Sequence, residues 1–357
     1  MKRVSIIISS FYPKIGGAEK QLQLISEKLI EEGYEVEVIT RRYKGLAKVE
    51  YIGNIRVRRI WMIKLNKNTE KLSFYINSIL YYLTKFKTKP DVIIASQTGV
   101  AARVAINIKT IFNCKVLVRI AGGELKKFEG NNSKFGKIFK RVDKFIVLSE
   151  DMKKTMEKLN EKRVEKITNA VLKQVNIEAN IGRYILFCGR IEKVKGLDLL
   201  LDSWRQMQII GVEIPLVIVG DGSLKKQLEE RYKELRCVKW VGEDKDTDKY
   251  YKNARLLINT SEYEGISNTI LEAQSYGIPV IASNVGGNKD LISNYKNGIL
   301  FERDINSLIK TICEIYFNEE MILEMKNNSL EYIKNHYIEN IICKYIDQFN
   351  YFLIKRG

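Results

Sequence analysis

EGISNTILEAQSYG, residues 264 to 277 of a 357-residue chain, is a glycine-containing turn that feeds an amphipathic segment. No Pro or Gly interrupts the run from Ile266 to Tyr276, and Ile270, Leu271 and Ala273 give it an apolar side. The pattern predicts a helix entered at residues 265–268. One carboxylate, Glu264, stands at the mouth, and a second, Glu272, lies eight positions on. Eight helical residues rise roughly 12 Å, about the span from a sugar ring across a diphosphate to a ribose. The amides that open a helix offer an anion site between the two acids. Two Glu residues at this spacing also arise on any solvated helix, so the neighbouring segments must decide.

Those segments are strand ends with glycine turns. Upstream lies ILFCGRIEKVKGLDLLLDSW (185–204), a strand-like run ending in Gly189-Arg190, with Lys195-Gly196 just before a helical pattern. PLVIVGDGSLKKQLEE (215–230) is a second strand, ending in Gly220-Asp221-Gly222. Downstream, YGIPVIASNVGGNKDLI (276–292) is another, ending in Gly286-Gly287. Strand-like runs recur at 4–9, 36–40, 92–95, 116–120 and 145–148, and after a variable stretch at 172–183 again at 185–188, 216–219, 238–241, 256–258 and 280–282. Helical segments separate most of them, which predicts parallel α/β sheets. Two doubly wound domains facing one another, 1–172 and 173–335, are the simplest arrangement, with a further amphipathic helix in 336–357. In such sheets ligands sit beyond the carboxyl ends of the strands, and each of these glycine turns falls at such an end.

These residues, in this order, resemble the retaining glycosyltransferases of family 4, which have the GT-B fold of two Rossmann-like domains across a cleft. The match takes in the family's Glu-x7-Glu at Glu264 and Glu272, GR-x4-KG at 189–196, GDG at 220–222, VKWVGE at 238–243, EA-x3-G-x-PV at 272–280 and the Gly286-Gly287 turn. SSFYPKIGGAEKQL (9–22), FIVLSEDMKK (145–154) and KITNAV (166–171) are fainter echoes. The likeness covers nearly the whole chain, specific in the second half and loose from 41 to 144.

The resemblance implies an enzyme, a hexosyltransferase that moves a sugar from a nucleotide-diphospho-sugar to a glycan or lipid-linked hydroxyl in cell-surface polysaccharide synthesis. It needs no cofactor beyond that donor. Glu272 would accept from the ribose hydroxyls and Glu264 from the donor sugar. Amides near Gly265, Ile266, Ser267 and Asn268, with Gly189, Arg190 and Lys195, would hold the diphosphate. Gly16 and Gly17 lie beside it, and the last helix crosses back to the first domain. The family often carries a histidine in a strand end of the form VTVHG. Here the stretch is VLVRIAGGE, with Ala121 at that place, so Arg119, Gly122 or Glu124 would contact the sugar instead. A nucleotide-sugar epimerase or hydrolase of the same fold and a non-catalytic partner of a transferase are the alternatives. Retention of Arg190, Lys195, Glu264 and Glu272 argues against the last.

Composition bounds these readings. Hydrophobic residues at 45% and charged ones at 29% are globular values, and four Pro leave no long flexible linker. Five cysteines without C-x-x-C spacing read as reduced thiols in a cytoplasmic protein. The opening MKRVSIIISSFYPKIGG mimics a signal peptide, but its apolar run is short and breaks at a glycine turn, so a buried first strand is expected. Neither Gly16-Gly17 nor GDGSLK (220–225) completes G-x-G-x-x-G, which disfavours a nicotinamide dehydrogenase. Asp244-Lys245-Asp246 has the D-x-D form of a metal-dependent transferase. It lies in an acidic run before a helix, where acids favour the macrodipole, and no metal is expected.

The net charge of +17 hides an asymmetry. Residues 1–178 hold 36 Lys plus Arg against 18 Asp plus Glu, or +18; residues 179–357 hold 24 against 25, or −1. The surplus gathers at 41–89, interleaved with Tyr43, Trp61, Tyr75, Tyr81, Tyr82 and Phe86. A lysine-rich composition would not obviously spare the second half, and nucleic-acid binding lacks any recognised motif. Attraction to an anionic membrane, with the enzyme peripheral on its inner face, fits a lipid-carried acceptor.

Overall fold

The computed structural model describes residues 2–14, 16–84, 88–125, 139–175, 177 and 182–354. The chain divides into two units, Met1–Ala170 with Ile338–Gly357, and Val171–Tyr337. In the first, β1 (Arg3–Ile7), β2 (Glu35–Arg41), β3 (Val49–Ile52), β4 (Ile55–Ile60), β5 (Val92–Ser96), β6 (Lys115–Arg119), β7 (Lys144–Val147) and β8 (Val164–Lys166) make one sheet. Its order is β3-β4-β2-β1-β5-β6-β7-β8, and every pairing is parallel except β3 with β4. Helices α1 (Gly17–Glu31), α2 (Lys67–Leu83), α3 (Val100–Phe112) and α4 (Glu150–Lys158) supply crossovers. The central strands read as unbroken apolar runs because both faces are covered; all five residues of β5 are buried.

The second unit repeats the scheme. Strands β9 (Tyr184–Cys188), β10 (Leu216–Val219), β11 (Val238–Gly242), β12 (Ala254–Asn259), β13 (Val280–Ser283) and β14 (Gly298–Phe301) pair in parallel in the order β11-β10-β9-β12-β13-β14. Helices α5 (Leu197–Ile209), α6 (Lys225–Arg231), α7 (Asp248–Lys252), α8 (Asn268–Ser275), α9 (Asn288–Leu291), α10 (Ile305–Tyr316) and α11 (Glu319–Tyr332) follow in chain order. Its core gathers Leu200, Trp204 and Met207 of α5 with Ile185, Leu216, Leu256 and Ile281 of the sheet.

The last helix, α12 (Ile338–Ile354), packs in the first unit. Ile338, Ile341, Ile342, Tyr345, Phe349 and Phe352 join Leu22, Ile25 and Leu29 of α1 in one core, with Phe349 edge-on to Tyr34 at 5.8 Å. The spacing of three, one, three, four and three is the stripe of a helix buried along one side.

The fold class matches the expectation, and each strand predicted from the sequence lies within two residues of its observed ends. Strands β3, β4, β8 and β14 were not expected. β4 reads IRVRRI, so its arginines stand out before its alternation does. Arg59, inside that basic run, is enclosed: its guanidinium donates to the Glu50 carboxylate and, at 2.8 Å, to the Tyr12 carbonyl. Phe86 lies outside the described residues. Among the described residues no helix is long and apolar enough to cross a membrane.

Candidate functional site

The densest polar cluster of the second unit sits at the carboxyl ends of β9, β12 and β13. After β9 the chain makes a single 3-10 turn at Lys193–Lys195 and enters α5 through Gly196. Gly196 has φ +63°, and a Cβ there would lie 2.3 Å from the Thr260 carbonyl oxygen, so the loop presses onto the end of β12 as only glycine allows. The Thr260 hydroxyl in turn donates to the Lys195 carbonyl at 3.0 Å. Backbone and side chain of Lys195 are thereby both directed at the segment 259–264.

There its ammonium meets Glu264. Lys195 Nζ is 2.5 Å from Glu264 Oε1, the Ser261 hydroxyl donates to the same oxygen at 2.7 Å, and Asn259 Nδ2 reaches it at 3.5 Å. Glu264 is buried and its charge is matched within the cluster, as a buried carboxylate requires. Its backbone is held as well. Gly286, at φ +41°, packs so closely that a Cβ would stand 2.1 Å from the Glu264 carbonyl oxygen, which accepts from the Gly287 amide at 2.8 Å.

The helix begins at the last of the expected entry positions, 265–268. α8 starts at Asn268, so only the second half of the separation between Glu264 and Glu272 is helical, and the expected 12 Å helical rise between them does not hold. The reason is Asn259. Its Nδ2 donates to Ser267 Oγ at 3.2 Å and its Oδ1 accepts from the Ser261 amide at 3.2 Å, pinning 261–267 as a loop. Ser267, the residue before the helix, is extended at φ −88° and ψ 114°. Its hydroxyl is shared with Asn259 and Thr269 and makes no bond to the helix's own amides, so Ser267 does not cap the first turn of α8. No acid lies in that turn.

Glu272, one turn on and half-buried, accepts from the Tyr251 hydroxyl at 2.9 Å. Tyr251 is enclosed and stacks on Tyr276 at 5.6 Å, 9° from parallel. Burial, with Glu272 beside it, pushes the Tyr251 phenol well above its ordinary value, so it stays a donor. Arg190 follows Gly189 at the end of β9 and is exposed, with the Glu192 carboxylate near enough to feel its charge. Its loop is closed on its far side by Glu192, whose carboxylate accepts from the Ser223 amide at 3.1 Å and hydroxyl at 2.7 Å.

The structure thus joins Lys195 directly to Glu264, two residues that the motif spacing had assigned to different parts of a donor. Sequence reasoning missed Asn259, Ser261 and Tyr251. The signal for the first two was Asn259-Thr260-Ser261, three polar residues directly after an apolar strand and all buried.

In the first unit, Gly16 precedes α1 and Gly17 opens it, without a side-chain cap. The Ser10 hydroxyl donates to Glu19. Arg119 is enclosed at the end of β6, its guanidinium 2.5 Å from Asn169 Oδ1. The buried Glu124 carboxylate accepts from the Thr98 amide at 3.2 Å, the Thr98 hydroxyl at 3.2 Å and the Ala121 amide at 3.1 Å, tying two strand-end loops together. Gly122 stays exposed between them. In the second unit, Asp244 accepts from Lys249, the Tyr250 hydroxyl and the Asp246 amide, each at 2.9 Å, and the Lys249 ammonium foremost pulls its carboxyl down to about 2. Among the described residues no three His, Cys, Asp or Glu side chains gather as a metal site.

Two family models match. "Glycosyltransferase Family 4" covers residues 15–172 and "Glycosyl transferases group 1" covers 170–332. An uncharacterized glycosyltransferase of Haemophilus influenzae is 26% identical over 96% of this chain and 98% of its own length. The capsular polysaccharide biosynthesis glycosyltransferase CapM of Staphylococcus aureus is 26% identical over 47% of this chain and 46% of its own. Among solved structures, the sucrose-phosphate synthase of Thermosynechococcus elongatus superposes with a TM-score of 0.85 at 19% identity, covering 100% of both chains. Anabaena HepE, solved in complex with UDP-glucose, superposes at 0.77 and 17% identity, over 98% of this chain and 100% of that one.

Proposed function

The chain belongs to the family 4 glycosyltransferases and has the GT-B fold, and from that premise we propose how its residues divide the reaction. The second unit holds a nucleotide-diphospho-sugar at the carboxyl ends of β9, β12 and β13. Glu272 takes the ribose hydroxyls and Glu264 the hydroxyls of the donor sugar. The amides of Gly265, Ile266 and Ser267 in the loop before α8, and of Asn268 at its start, face the diphosphate together with Gly189, Arg190 and Lys195. In the first unit, Gly16 and Gly17 are proposed as donor-binding residues, and Arg119, Gly122 and Glu124 as sugar contacts.

The bond from the anomeric carbon to the phosphate oxygen breaks while the acceptor oxygen bonds to that carbon on the same face. The departing phosphate takes the acceptor's proton, so configuration is retained and no metal is required. The acceptor is a glycan or lipid-linked hydroxyl in cell-surface polysaccharide synthesis, reached from the inner face of the membrane. The named role of CapM and the UDP-glucose bound by HepE support this choice of acceptor and donor.

One observation carries the assignment: a half-buried Lys195 paired with the buried Glu264 beside a helix start that its N-cap residue Ser267 does not cap, with Glu272 one turn further on. Binding screens against UDP-, GDP- and ADP-linked sugars identify the base, since a ligand of the folded state raises its stability. Calorimetry with the matching nucleoside diphosphate and with the full donor then separates the acids. We expect Glu272→Ala to weaken both ligands and Glu264→Ala only the one carrying the sugar. Equal losses in the Glu264 variant would contradict its assignment.

A further inference from the structure

Helix α2 is apolar on the side where a surface helix should be polar. Its inner face is conventional: Ser73, Phe74, Ser78 and Tyr82 are buried, and the Tyr82 hydroxyl meets Ser5 of β1 at 2.5 Å. The opposite face carries Leu72, Ile76, Leu80 and Leu83. Steps of four, four and three keep the four helical side chains on one stripe, and Leu65 lies two residues before the helix. They are 46 to 81% exposed, and Trp61 and Ile63 extend the apolar area into the segment before the helix. A run of large aliphatic side chains facing outward is not explained by packing within the unit.

The rim of the stripe is cationic. Lys64, Lys67 and Lys71 are exposed around its N-terminal end. Glu70, the helix's only acid, faces Arg41 at 3.9 Å. Between α2 and α3 runs a groove of about 640 Å³ lined by Lys71, Leu72, Tyr75 and Arg103, with no acidic residue in its wall. Neither Lys71 nor Arg103 pairs with a carboxylate among the described residues. A second copy seated on this face about a twofold axis would set these lysines against the same lysines. An anionic bilayer meets both requirements at once, with acyl chains for the stripe and phosphates for its rim.

We propose that the outward face of α2 is the membrane-docking element of this enzyme, lying in the plane of an anionic phospholipid surface with headgroup phosphates in the α2–α3 groove. This rests on the peripheral-membrane reading and names the surface responsible. The helix's seventeen residues lie flat; Leu72, Ile76 and Leu80 enter the acyl boundary while Lys71 and Arg103 stay at headgroup depth.

The test uses the full chain and flotation with phosphatidylglycerol–phosphatidylcholine vesicles, with pure phosphatidylcholine as the neutral arm. Wild type is expected to float with the anionic vesicles at low salt. Leu72→Ser/Ile76→Ser/Leu80→Ser should lower the partition coefficient by about 10-fold or more, since each loses buried apolar area. Lys71→Glu/Arg103→Glu should lower it on anionic vesicles and not on neutral ones. Both variants should keep the wild-type melting temperature and transfer to a soluble acceptor analogue. If wild type floats and the leucine variant floats equally well, α2 is not the docking element. If wild type does not float at all, the membrane reading itself falls, while sugar transfer in the soluble assay still stands or fails by itself. Concentration-dependent dimers lost in the leucine variant would assign the face to a second copy and overturn the proposal.

Discussion

Lys195 and Arg190 are both cations at the end of one strand, yet their surroundings differ enough that substitution should separate them. Arg190 is exposed, so Arg190→Ala should cost turnover alone, by ~10²-fold, the scale of losing one preorganised donor to a developing charge. Lys195→Ala should cost as much turnover and also strand the buried Glu264 carboxylate, lowering stability by about 1–3 kcal/mol. Steady-state rates with thermal melts read the difference. Unchanged rates in both variants would place the leaving phosphate elsewhere, and an unchanged melt in the lysine variant would mean Glu264 finds other partners. The two acids and two cations of the proposed site were picked out because they stand at fixed offsets around strand ends. Asn259 and Tyr251 were not, since their importance comes from side-chain bonds to Ser267 in the following loop and to Glu272 on another helix. Arg59 shows a different loss. Alternation along β4 puts it on the same face as the buried Ile55 and Val57, but its charge was the louder signal.

A single methyl group tests the loop that seats α8. Gly286→Ala would force a Cβ to within 2.1 Å of the Glu264 carbonyl oxygen at a positive φ, so the turn after β13 or the loop before α8 must shift. We expect a loss of more than ~1 kcal/mol from the left-handed backbone alone. We also expect weaker binding of the full donor than of the nucleoside diphosphate, because the displaced residue is Glu264. Melting curves and calorimetry check both, and a variant with wild-type values would show that the close approach relaxes freely. Buried parallel strands were read correctly because they appear as apolar runs bounded by glycine. Helix starts were read less finely: the pattern allowed α8 an entry anywhere in 265–268, and it begins at the last of these, where Asn259 and Ser267 hold the chain extended. The hairpin of β3 and β4 was hidden by its charge and lies at a sheet edge, where one strand needs cover on fewer sides.

At the scale of the molecule, residues 338–354 complete a core whose other walls lie at the opposite end of the chain. Each large apolar side chain buried on folding stabilises by ~1.5–3 kcal/mol. Ile338, Ile341, Ile342, Tyr345, Phe349 and Phe352 together therefore rival the ~5–15 kcal/mol by which a whole domain is stable. Ending the chain at Tyr337 should leave the second unit folded and the first aggregated or readily proteolysed. A truncated protein with native resistance in residues 2–170 would show that α12 is dispensable. The same feature imposes an order on biosynthesis. A ribosome releases residues 171–337 before it makes α12, so the unit that begins first is the last that can close. At ~5–20 residues per second the interval from Ala170 to Ile354 lasts roughly 10–40 s. Throughout it the core around Leu22, Ile25 and Leu29 lacks the wall that α12 supplies, and a holdase could grasp what that leaves open.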